Sequence, residues 1–95
     1  MKRIAIYAPF DANVERLATI KRMVQREAQD LGLKVTGPFV REDSRICVFY
    51  EDDETKCFIY LDDYDEPLNM EKAALTIRLM ATISMAETMK LDVEA

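Results

Sequence analysis

Carboxylates are the groups this 95-residue chain supplies most freely, with 18 Asp and Glu against 13 Lys and Arg and no histidine. The run Asp62-Asp63-Tyr64-Asp65-Glu66, together with Glu42-Asp43 and Asp11, offers the hard oxygen ligands that Mg²⁺ and Ca²⁺ take. It lacks the glycine and the full spacing of a calcium loop, so no metal is expected to be bound. Turn carboxylates and helix caps in contact with water are the plainer account. The functional account is a rim that meets a basic protein surface, made of Glu42, Asp43, Asp62, Asp63, Asp65 and Glu66.

Other chemistry is narrowed by residue type. Without histidine, the commonest general base and the commonest transition-metal ligand are missing. Cys47 and Cys57 lie apart in apolar runs with no imidazole to activate a thiolate, and read as small buried hydrophobes. Gly32 and Gly37 are the only glycines, so a glycine-rich phosphate loop is absent. Paired carboxylates remain as an acid and base, but so short a chain leaves little room for a substrate cleft. The expectation is a binding protein without catalytic residues or cofactor.

The elements that must position these groups follow from the apolar pattern. Ile4-Ala5-Ile6-Tyr7-Ala8 reads as a buried strand stopped by Pro9. Asp11 or Asn13 can cap a helix carrying Val14, Leu17, Ala18, Ile20, Val24, Ala28 and Leu31 on one face, and Gly32 can end it. Residues 33–40 predict a second strand interrupted at Gly37-Pro38, where proline implies an edge or a bulge. Ile46–Tyr50 and Cys57–Leu61 flank Glu51-Asp52-Asp53-Glu54 as a hairpin, apolar on both faces.

From about Leu68 to Leu91 the spacing turns helical, starting near Pro67 or Asn69. Ala73, Ile77, Met80, Ala81 and Ser84 share one face, while Leu75, Leu79, Ile83 and Ala86 fall on another. A helix packed on a sheet needs only one apolar stripe. The second stripe therefore predicts a homodimer or partner-binding surface. Met70, Met80, Met85 and Met89 fit core filling or an adaptable binding face.

The order β-α-β-β-β-α predicts a single α+β domain over residues 1–95. It would hold a mixed four-stranded sheet with two helices, as a two-layer sandwich. Parallel first and second strands, followed by an antiparallel meander, would bring the carboxylates at 11, 42–43 and 62–66 to one end of the sheet. Glu51–Glu54 would then lie roughly 20 Å away at the other end.

Charge and length bound the partners. Residues 1–41 hold eight Lys/Arg and four Asp/Glu, giving +4, and residues 42–95 hold five and fourteen, giving −9. This balance disfavours direct nucleic-acid binding and favours a basic protein partner. Tyr50, Phe58, Tyr60 and Tyr64 are accordingly expected to pack on a helix rather than to stack on bases. In type alone, the chain resembles small acidic inhibitors of nucleic-acid-handling machines, among them some phage anti-defence proteins, which would make it a regulator or inhibitor.

Residues 4–40, including Asn13-Val14-Glu15-Arg16 and Gly37-Pro38-Phe39, are faintly similar to the opening of nucleoside deoxyribosyltransferase-like domains. That stretch is under half the chain and contains no catalytic motif, so it transfers neither activity nor residue. The rival expectation is a small ligand- or anion-binding domain, in effect a degenerate enzyme, using the turn between the first strand and helix. The short apolar run after Met1-Lys2-Arg3 is not a signal peptide, and nothing reaches the length of a membrane span, which predicts a cytoplasmic protein.

Overall fold

The structure is a computed structural model that describes residues 2–42, 45–63 and 66–94, with side chains described as far as Glu87. Its elements are β1 (Arg3–Ala8), α1 (Val14–Leu31), β2 (Lys34–Val40), β3 (Cys47–Glu51), β4 (Lys56–Leu61) and α2 (Met70–Glu94). The fold is α+β in the expected order, with strands arranged β2-β1-β3-β4. β2 runs parallel to β1, and β1–β3 and β3–β4 are antiparallel.

Local chemistry sets the helix ends. Asn13 caps α1, its side-chain oxygen accepting from the Arg16 amide at 2.9 Å, and Gly32 closes the helix with φ +71°. Asn69 does the same for α2, accepting from the Lys72 amide at 3.1 Å. Both helices lie on one face of the sheet. Ile20, Met23, Val24 and Ala28 of α1 and Ala73, Ile77 and Ala81 of α2 join Ile4, Ile6, Val48, Tyr50 and Ile59 in one core. Val14 and Ala18, expected on the inner face of α1, are exposed, whereas Glu27 is buried and accepts a hydrogen bond from Arg78 of α2 at 2.6 Å.

Each edge strand carries one bulge, and these decide which side chains leave the core. Between the pairs Ala5–Thr36 and Tyr7–Phe39, β1 has one residue and β2 has two, Gly37 and Pro38, joined by a cis peptide bond. Without the extra residue Phe39 would turn to the helices; with it, Phe39 shares the open face with Tyr7. Between Val48–Tyr60 and Phe49–Phe58, Ile59 is the extra residue, so Ile59 and Tyr60 both turn inward and Phe58 turns out. The apolar character of β4 on both faces is thus explained without a covering layer. Tyr50 packs under the helices as expected, but Phe58 does not: it is half exposed on the helix-free face. Tyr64 lies outside the described residues.

Candidate functional site

Three surfaces concentrate the side chains singled out above. At the carboxyl end of β1, the Arg41 amide donates to Ala8 O and the Asp62 amide to Ile46 O, which draws the segments flanking β3 and β4 together. Glu42, Asp63 and Glu66 are exposed there, while Asp43 and Asp65 lie outside the described residues. Asp62 departs from the expected rim because it is fully buried. Its two carboxylate oxygens accept from Arg16 Nε at 2.6 Å and Nη2 at 2.9 Å, and Arg16 Nη2 also donates to Asp63 O at 2.7 Å. A fully buried carboxylate held in a two-pronged guanidinium clasp presents no accessible oxygen to a partner. Asp62 therefore belongs to the fold. Burial, and then the charge of Asp62, raise the Tyr60 phenol pKa above 10.0.

The same clasp bears on the rival anion site. Arg16, the cation on the first turn of α1, is committed to Asp62, and Asn13 already satisfies one of the helix's leading amides. The turn displays Phe10 and Val14 to water instead. Among the described residues, no group of three or more acidic or cysteine side chains is arranged to hold a metal ion. Nor, among the described residues, is any helix long and apolar enough to cross a membrane.

The second surface is α2. The two stripes divide as the spacing predicted, with Ala73, Ile77, Ala81 and Ser84 buried and Leu75, Leu79, Ile83 and Ala86 exposed. Met80, expected inside, is at the border and 36% exposed. The side chain of Met89 lies outside the described ones. The inner stripe is small because the helix lies close to β4 and α1, which leaves the large side chains outward.

The third surface is the helix-free face of the sheet, whose assembly from four strands was not expected from the sequence, although Phe58 on it was singled out there. Glu51, assigned by sequence to the hairpin connection, is instead the last residue of β3 and is buried. It accepts from Tyr7 Oη at 2.6 Å and from Arg3 Nη2 at 3.1 Å, with Lys56 Nζ 3.6 Å away. Burial alone would raise the carboxyl pKa. The hydrogen bonds from Tyr7 and Arg3 and the charge of Lys56 outweigh it, leaving the pKa below 4.5. The Tyr7 phenol is raised, by burial and then by donating to Glu51.

A carboxyl whose pKa is lowered on folding adds stability above its unfolded value, and that stability disappears as pH falls through the folded value. Glu51→Gln is therefore expected to lower the melting temperature at neutral pH, with the gap from the parent narrowing below pH 4.5. Thermal melts between about pH 7 and pH 3 check it, and a constant gap across that range would contradict the assignment.

The sequence signals for this face were the alternation of Arg3, Ala5 and Tyr7 with core residues and the ring of Phe58, which was expected to pack on a helix. Their meaning depended on knowing which face the helices cover. Comparison with family models, curated proteins and solved structures returns no match.

Proposed function

We propose that the chain is a small, non-catalytic protein–protein interaction module that docks through the outer stripe of α2, first of all onto a second copy of itself. The observation carrying this reading is the row Leu75, Leu79 and Ile83, exposed by 57%, 52% and 52% on a helix whose opposite stripe already fills the core. Large aliphatic side chains aligned this way favour burial, at about 25 cal/mol per Å² removed from water.

The stripe is nearly symmetric about Leu79. Two α2 helices crossing antiparallel there would set Leu75 of one copy beside Ile83 of the other. The exposed Glu42, Asp63 and Glu66 support a regulator or inhibitor role toward a basic partner, met at the end of the sheet away from the Glu51–Lys56 turn. A cytoplasmic setting fits Cys47 and Cys57, which form no disulfide and stand on opposite faces of the sheet.

Light scattering coupled to size-exclusion at about 100 µM should give twice the 11.0 kDa chain mass. Leu79→Asp should return the chain mass with the melting transition retained, because the side chain contributes nothing to the core. A strict monomer for the parent chain at that concentration would overturn the self-docking reading.

A further inference from the structure

The helix-free face of the sheet carries a row of four rings, one from each strand. Phe39 of β2, Tyr7 of β1, Phe49 of β3 and Phe58 of β4 follow one another with centroid separations of 5.5, 5.5 and 5.6 Å. The two end rings are the most open, Phe39 at 47% and Phe58 at 50% exposure. Lys56 Nζ lies 4.4 Å from the Tyr7 ring centre and 4.8 Å from that of Phe49, and the Arg41 guanidinium lies 5.6 and 5.5 Å from the same two.

Arg3 and, by its pairing with Arg3, Lys34 stand on this face too. Among its described strand residues Glu51 is the one carboxylate, and it is neutralised by Arg3 and Lys56. A chain of net charge −5 thus presents a ring-bearing sheet whose described strand side chains on this face are net cationic, with the hairpin acids Asp52, Asp53 and Glu54 beside Tyr7 and Lys56 at one end. Beside the row, Arg3, Tyr7, Thr36, Phe39 and Glu51 line a shallow dish. Thr36 Oγ1 is buried there without a hydrogen-bond partner.

We propose that this face binds single-stranded nucleic acid, its bases stacking on Phe39 and Phe58 and its phosphates meeting Arg3, Arg41 and Lys56. Rings alone would suit a sugar or an apolar peptide, and cations alone any polyanion. A polymer that alternates flat π-faces with phosphates at short intervals matches both. A duplex hides its base faces, so the match is to an unpaired strand. Cations poised over ring faces can swing to a phosphate while a base takes their place, since cation–π and stacking contacts compete for the same ring surface. This surface is separate from the outer stripe of α2, so the two readings stand or fall independently.

The test is fluorescence anisotropy of labelled oligothymidylate and oligouridylate, each of about 12 nucleotides, titrated with the full chain at roughly 50 mM salt. Binding to either, in the range of about 1–100 µM, is expected, and the two oligomers distinguish DNA from RNA as the source of the strand. Phe39→Ala and Phe58→Ala should each weaken it about tenfold. Lys56→Gln should reduce the salt dependence by about 0.7 in log–log slope. Phe10→Ala, which removes a ring exposed elsewhere on the surface, should change nothing, and far-UV circular dichroism checks that each variant is folded. No binding to either oligomer, equal affinity for a duplex of the same length, or affinity indifferent to Phe39→Ala and Phe58→Ala would overturn the proposal.

Discussion

Asp62→Ala is expected to destabilise the fold by about 3 kcal/mol, as breaking a buried ion pair by removing one partner generally does. For a domain of this length that lowers the melting temperature by roughly 15 °C. Asp62 is fully buried, Arg16 is 19% exposed, and the two share paired hydrogen bonds, so removal leaves a guanidinium that has lost its main acceptor. The guanidinium pKa is itself raised, first by its hydrogen bond to Asp62.

Arg16→Ala should cost at least as much, because it strands a carboxylate with no water around it. The double variant should lose less than the sum of the two, since each single change already destroys the shared contact. Asp63→Asn and Glu66→Gln, at exposed positions of the same end, should each stay within about 0.5 kcal/mol. Urea unfolding of the set provides the measurement. Equal, small effects at all four positions would mean that Asp62 is an ordinary surface carboxylate.

Gly37→Ala is the second large effect, at about 3 kcal/mol or more. The residue sits at φ +96°, where an L side chain is strained, and an added Cβ would run into the Ile6 carbonyl oxygen. The obstacle is backbone of the neighbouring strand, so it cannot be relieved by turning a side chain aside. Phe39 N would be 3.0 Å and Phe39 Cδ2 3.2 Å from the same atom, which places the disturbance at the bulge that turns Phe39 outward.

Gly32→Ala offers the contrast. That residue is also left-handed, at φ +71°, but nothing lies within 4 Å of the new Cβ, so the cost should be only the conformational one of about 1 kcal/mol. Thermal melts of the two variants separate steric obstruction from backbone preference. Similar losses would show that the β1–β2 packing does not require glycine at position 37.

The two sequence errors at charged positions share a cause. Asp62 and Glu51 each sit within a run of acids, and a run of acids reads as solvated surface because carboxylates are rarely buried without a partner. Their partners are distant in sequence: Arg16 lies 46 residues before Asp62, and Arg3 lies 48 before Glu51. Net charge is likewise a sum over the whole chain: it counts the acids at the ends of the strands and in the helices together with the cations on the open face of the sheet.

The exposed α2 stripe was legible because helical spacing fixes which residues share a face, whatever packs against it. By itself the sequence determined the element order, the α1 end at Gly32 and its start to within Asp11 or Asn13, the irregularity at Gly37-Pro38 and the two-striped α2, each a matter of local backbone preference or periodicity. Only the tertiary structure decided that both helices cover one face. Only there do two edge bulges bring Phe39 and Phe58 into line with Tyr7 and Phe49, and only there does Asp62 enter the interior. A one-residue bulge reverses which side of a sheet every following side chain faces, and pairing across nearly fifty residues depends on where the strands meet rather than on what adjoins them in the chain.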